Sequence, residues 1–503
     1  MRVRVRLPFL CVAWVVPVIA LAPSIVRAGG FYVPEIGPRA VGMAGAQTAA
    51  VDDTTAIFHN PAGLAGQDGT KVQVAGSMFF GNVSFFRRPV DSPTGRIEFD
   101  RVKNTNRIGG APFLGVASDF GVRNFAAGIA VYVPFGAHLE YPRRGAQRHV
   151  VTGVELRTIY VTPSVAYRIA DRFSIGAGVS YVYADLALEQ ANAVQFVTGD
   201  PEANPEPDAV LEGSTALRGK DPASFSATFG VRYDDPLERF GIGASVMIPT
   251  TLRFSGRAVV ENDNITSTSD ESDPDLELAA GSRRDDFRVD YPLPLVVRVG
   301  AVVRPTPRVS VALDYNYQRW STFDELVVDF EHNYELQETT RAVMYDVVVE
   351  QNWHDSHSVR LGTEFQPIPN ERIPLKLRLG ALFDQSPIDD RHFDVLAPDS
   401  DKLGVSVGVG YEFALGRRVR LGADVGFMHL FFRERNIRPL QSGSDLSGND
   451  DDGNPANDST DNPQAEDLPG SDKTVLNKPA PSFYYGVTRA FFDILGVGLT
   501  LRV

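Results

Sequence analysis

Cysteine is almost absent from this chain: Cys11 is the one such residue in 503. Without a second thiol no internal disulfide can form, so stability must come from packing and hydrogen bonding. Excess positive charge is also missing. The formal net charge of −14 argues against nucleic acid as a partner. Beyond the N-terminus every apolar run is interrupted by charge, which excludes a bundle of transmembrane helices. Metal and nucleophile motifs are lacking too. His138, His149, His332, His354, His357, His392 and His429 are scattered without ligand spacing, and no Gly-x-Ser-x-Gly stretch occurs. No catalytic residue, metal site or cofactor is expected.

What remains is a secretory leader followed by alternation. Arg2, Arg4 and Arg6 precede an apolar Leu7 to Ala22, and Val26-Arg27-Ala28 offers small residues for cleavage. Residues 1–28 therefore read as a signal peptide. Cleavage would remove Cys11. From about residue 71, runs of some ten residues alternate apolar and polar, as in Leu495-Gly496-Val497-Gly498-Leu499-Thr500-Leu501. Period two puts one face in oil and the other in a narrower or wetter space.

The spacing predicts fourteen strands, near 71–86, 108–119, 124–134, 156–169, 173–187, 223–233, 240–254, 288–303, 308–319, 356–366, 374–385, 402–414, 418–433 and 491–503. Tight joints such as Ala170-Asp171-Arg172 and Leu415-Gly416-Arg417 alternate with long ones at 87–107, 135–155, 188–222, 255–287, 320–355, 386–401 and 434–490. Short inner turns and long outer loops are the rule for bacterial outer-membrane barrels. An even strand count returns both ends to the periplasmic side. In the eleventh strand Leu375, Leu377, Leu379 and Phe383 oppose Lys376 and Arg378; in the ninth, Val311, Leu313 and Tyr315 oppose Asp314 and Asn316. A mid-strand charge facing lipid costs about 2–4 kcal/mol for Arg or Lys, so the charged faces should line the lumen. A soluble sandwich would also alternate, but lacks the strand length and loop asymmetry.

Residues 29–70 do not alternate. They are rich in Ala and Gly, with Asp52 or Asp53 placed to cap a short helix and Asn60-Pro61 to start a turn. Some 40 residues cannot bury a core of their own and must lean on another surface. The 435–480 stretch is acidic and rich in Asn, Gly and Ser. Its oxygens could ligate Ca²⁺, but no EF-hand spacing is present and a solvated loop is expected.

Gly29-Gly30-Phe31, Val41-Gly42-Met43-Ala44-Gly45-Ala46 and Asn60-Pro61-Ala62-Gly63-Leu64, in that order, resemble the N-terminal hatch of the FadL-type outer-membrane transporters. Val133-Pro134-Phe135-Gly136, Thr162-Pro163-Ser164-Val165-Ala166-Tyr167-Arg168 and Ser358-Val359-Arg360-Leu361-Gly362 resemble the family's strands, and the likeness runs from about Gly29 to Val503. His59 departs from it, standing where an apolar residue is usual. So does Val503, where a terminal aromatic would meet the barrel-assembly machinery. The resemblance implies an all-β, fourteen-stranded antiparallel transmembrane β-barrel plugged by a small helical hatch. It implies passive uptake of long-chain fatty acids, or of aromatic and other neutral hydrocarbons, through a lumen pocket and a lateral exit at the third strand.

The site residues follow. Asn60, Pro61 and Ala62 would shape the channel at the hatch, and Phe31 would act as a movable gate. Gly128 or Pro134 would create the bulge that opens the wall. Arg157, Arg298, Arg360 and Lys376 are the candidates for a ligand carboxylate. Expected partners are a hydrophobic small molecule, outer-membrane lipid and lipopolysaccharide, with the barrel monomeric because it closes its own edges. A general diffusion porin and a barrel enzyme such as a lipase or protease are the competing readings.

Overall fold

The computed structural model describes residues 32–503 apart from 93–94, 107, 171, 195–210, 263–282, 332–346, 369–373, 391, 394, 417–418 and 438–484. The signal peptide, Phe31 and nearly all of the acidic 435–480 stretch lie outside the described residues.

Fourteen antiparallel strands form one sheet that closes on itself. Closure joins Thr70–Arg87 to Gly486–Arg502, in register from Lys71↔Arg502 to Arg87↔Gly486. Among the described residues seven strands run unbroken. Seven come in two pieces, among them the third (Phe125–Tyr132, Gly136–Glu140), the seventh (Phe240–Met247, Thr251–Asn262) and the eighth (Arg283–Pro292, Leu295–Thr306). Pro134, Pro249 and Pro294 sit in those three breaks, where a residue without N–H cannot serve the ladder.

The faces fall as the alternation requires. Leu313, Tyr315, Leu377, Leu379, Val425 and Phe427 are exposed on the outside, while Asp314, Asn316 and Arg378 are buried within. The strands are longer than expected on the outer side. The fifth, Phe173–Val194, and the sixth, Leu211–Asp234, absorb much of what read as the loop 188–222. At about 3.3 Å per residue, 22 residues reach some 70 Å along the strand, well beyond an apolar band about 25 Å tall even when tilted. Above that band both faces become polar, so the sequence no longer marks the strand.

The hatch fills the lumen. Its helices are short: Pro38–Gly42, Ala56–His59 and a 3₁₀ turn Pro61–Gly66. Neither Asp52 nor Asp53 caps the second helix; Thr55 holds that position. Asp53 instead accepts from the Thr55 amide at 2.8 Å. The cap that forms belongs to Asn60, whose side chain accepts from Ala62 N. The wall makes room for the hatch with glycine. A Cβ on Gly176, Gly243, Gly362, Gly380 or Gly426 would come within 3 Å of hatch backbone, at Ala62, Thr48, Met43, Ala44 and Pro38 in turn. Glycine is required there by close approach rather than by conformation.

Candidate functional site

The third strand carries the principal irregularity of the wall. Tyr132 pairs with Tyr160, yet Gly136 pairs with Arg157, so four steps along the third strand match three along the fourth. The extra residue is a bulge at Val133–Phe135. Pro134 lies inside it. Gly128 does not: it sits in regular ladder between Ala117 and Ser164.

Beside the bulge the ladder to the second strand is missing. Ile108–Ser118 pairs with the third strand only from Leu114↔Val131 to Ser118↔Ala127. Its upper half, Ile108 to Phe113, pairs with the first strand alone. The gap is bridged on the outer side, where Thr105 N donates to Glu140 O at 2.8 Å and Asn106 Nδ2 to His138 O at 3.0 Å.

From inside, the start of the hatch lies on the bulge. Val33 N donates to Pro134 O at 2.7 Å, and Tyr32 bridges to Phe135. The Tyr32 and Phe135 rings are 5.2 Å apart, and Phe135 meets Trp320 edge-on at 6.5 Å. Phe58 packs edge-on to Tyr132 at 5.4 Å, and Tyr132 stacks on Tyr160 at 5.7 Å. All six side chains are buried. Sequence reasoning assigned no role to Tyr32 or Phe135, although each adjoins a residue that it named, Phe31 and Pro134.

Asn60 is fully buried. Its Nδ2 donates to Thr48 O at 2.9 Å and to Val231 O of the sixth strand at 3.1 Å, while its Oδ1 accepts from Ala62 N at 3.1 Å. Pro61 and Ala62 press on Gly176. His59 occupies an apolar position as a neutral ring. It packs edge-on to Phe58 at 4.9 Å, and its Nε2–H donates to Ile36 O at 3.0 Å. Burial, ahead of the nearby guanidinium groups of Arg298, Arg360 and Arg39, pushes its pKa down to about 3.

The four candidate cations part company. Arg298 is buried in the lumen. Its Nε donates to Tyr32 Oη at 3.1 Å, its Nη1 to Phe58 O at 3.3 Å, and its guanidinium lies 4.6 Å over the Phe58 ring. Among the described residues no carboxylate comes within ion-pair distance of it. Arg360 is also buried, but bound to Glu35 at 2.7 Å and facing Asp384 at 3.5 Å. Lys376, at the periplasmic start of the eleventh strand, pairs with Glu364 at 3.4 Å. Arg157 faces outward, in line with the lipid-facing Val165 and Tyr167, and pairs with Asp185 at 2.5 Å. Twelve residues above Ile169, it stands about 30 Å higher on a tilted strand, clear of the apolar band. An apolar groove of about 530 Å³, bounded by Val165, Tyr167, Ile175, Phe229 and Val231, also lies on the lipid-facing wall rather than in the lumen.

Comparison with known proteins agrees with this architecture. The chain is 22% identical over 421 residues to a long-chain fatty acid transport protein of Salmonella typhi, covering 82% of this chain and 90% of that protein. A FadL homologue of Pseudomonas aeruginosa superposes with a TM-score of 0.71 at 16% identity, covering 94% of this chain and 99% of the other. The toluene transporter TodX of Pseudomonas putida does so with a TM-score of 0.59 at 13% identity, covering 94% and 99%. Residues 19–457 match the family model described as outer membrane protein transport protein (OMPP1/FadL/TodX). The chain thus belongs to that family of outer-membrane transporters for hydrophobic compounds.

Proposed function

We propose that this barrel passively takes up long-chain fatty acids, received in the aromatic lumen above the hatch and released sideways through the gap between the second and third strands. The observation that carries the reading is Arg298. It is a buried guanidinium with no acidic partner among the described residues, set among Tyr32, Phe58 and Ser245. A ligand carboxylate there would gain charge-assisted hydrogen bonds that a neutral hydrocarbon would not. Tyr32, which Arg298 holds, adjoins Val33, the residue bonded to Pro134 at the gap. Seating a carboxylate on Arg298 therefore competes with the contact that keeps the hatch start against the bulge.

No energy source is needed for this route. Each CH₂ leaving water gains about 0.8 kcal/mol, so the chain partitions inward, and lateral exit spares it a return through water. The neighbouring rings of Tyr132, Tyr160 and Trp320 favour a second reading, uptake of aromatic hydrocarbons by the same path.

The test is labelled oleate uptake by a Gram-negative host that lacks its own fatty-acid transporter, beside Arg298→Met. Restored uptake that Arg298→Met lowers about tenfold supports the carboxylate reading. Folded barrel in the outer membrane that takes up toluene but not oleate overturns it in favour of the aromatic one.

A further inference from the structure

On the outer face of the wall a second site stands beside the gap. Up the outward side of the fifth strand the residues run Ile175, Val179, Tyr181, Tyr183, Asp185 and Glu189. They pass from apolar to aromatic to charged. An aromatic girdle marks the edge of the lipid band, so the charged residues above it lie at headgroup level. There, Arg157, Asp185 and Lys220 stand in register on three neighbouring strands. One level higher, Glu155, Ala187 and Arg218 do the same.

Arg218 and Lys220 face outward because of an irregularity. The sixth strand bulges between Asp221 and Ser224, which turns its alternation over. Below the bulge the outward residues are Phe225, Phe229 and Val231. Without it the two cations would point into the lumen. The bulge is held by Asp221, which accepts from Ser224 Oγ at 2.6 Å and from Arg253 N at 2.9 Å.

These residues line a pocket of about 610 Å³, which also takes in Thr105, His138 and Glu140, the residues that bridge the gap. Arg157 is neutralised by Asp185 and Arg218 by Glu189 at 2.9 Å. Arg143 and Lys220, also in the lining, have no acidic partner within ion-pair distance among the described residues. We propose that this outward pocket binds the phosphorylated sugar headgroup of lipopolysaccharide. Arg143 and Lys220 take its phosphate, and the carboxylates of Glu155 and Glu140 accept from sugar hydroxyls. The depth on the wall supplies the occupant: at headgroup level outside the barrel, the anion at hand is that of an outer-leaflet glycolipid. A headgroup held there hangs its acyl chains down the wall beside the gap.

Folded full-length protein in detergent is incubated with bisphosphorylated lipid A, fully dephosphorylated lipid A or phosphatidylethanolamine, and retained lipid is read by native mass spectrometry. Retention of bisphosphorylated lipid A at about tenfold over the other two is expected, together with its loss in Arg143→Gln/Lys220→Gln. Heat-modifiable mobility checks that the double variant is folded, and the wild-type comparison of the two lipid A forms stands without any variant. Equal retention of both forms, unchanged retention by a folded double variant, or displacement of lipid A by inorganic phosphate alone would each overturn the proposal.

Discussion

Replacing Asn60 by alanine should loosen the hatch while leaving the barrel's strand ladders intact. The side chain is fully buried and makes three hydrogen bonds, two donated to Thr48 O and Val231 O and one accepted from Ala62 N. Alanine fills none of these roles, and the three backbone groups lose a partner where water does not reach. At a net 1 kcal/mol or so for each neutral bond, the docked hatch loses about 3 kcal/mol. A factor of ten per 1.4 kcal/mol makes that about a hundredfold rise in the undocked fraction. The assay is amide hydrogen exchange on the folded protein in detergent. Amides of Ala56–His59 and of residues 62–66 should exchange about a hundredfold faster, while mid-barrel amides of Lys402–Ala414, held by ladders on both sides, keep their rates. Less than a threefold change in the hatch, or an equal change in both regions, would refute the reasoning, because docking would then not rest on this turn.

Gly176→Leu places a side chain into the backbone of Pro61 and Ala62, so the hatch cannot seat although the strand can still pair. Heat-modifiable folded protein with raised ion conductance in planar bilayers is expected, and unchanged conductance would mean that the hatch does not seal the lumen here. His59 makes hatch docking sensitive to acid. Its docked pKa of about 3 lies below the ordinary value of 6.5, so the undocked hatch binds the extra proton as pH falls below 6.5. Docking is then fully stable above pH 6.5 and weakens by about 1.4 kcal/mol per unit below it, until the docked pKa is reached. Hatch exchange at pH 5 against pH 7, corrected for the intrinsic rate, should rise in the wild type and stay flat in His59→Gln.

The lipid-facing alternation made most of the barrel legible. Lys402–Ala414 and Phe173's start match the expected bounds because Leu403, Val405, Val407 and Val409 must face oil, while on the inner side Gly408 lies against Gly42 of the hatch and Gly404 makes room for the wall's own Leu382 and Leu430. The outer ends were not legible, since above the apolar band the alternation is no longer one of polarity. The same blind spot misplaced Arg157. Alternation places a charge in a strand on the lumen side, but Arg157 shares its side with Val165 and Tyr167 and is tolerated outside because it stands above the lipid. Arg298 and Arg360, lower in the wall, do face inward. Their difference, one paired with Glu35 and the other with no acid among the described residues, depends on where a non-alternating hatch folds back, which no local pattern encodes.

One inserted residue does more in this wall than any single side chain. Below the third-strand bulge the inward residues are Ala126, Ala130 and Tyr132; above it they are Phe135, Ala137 and Leu139. The change of parity turns Phe135 onto Tyr32 and sends His138 and Glu140 outward, where they bridge to Thr105 and Asn106. The same step carries the strand away from Ile108 to Phe113 and leaves Pro134 O for Val33 N to use. Proline is suited to the position because the strand already lacks a partner on that side, so its missing N–H breaks no bond. Gap, hatch contact and outer bridge thus share one cause. Substituting any single side chain around the gap leaves that cause in place, whereas the count of residues between Tyr132 and Gly136 decides all three.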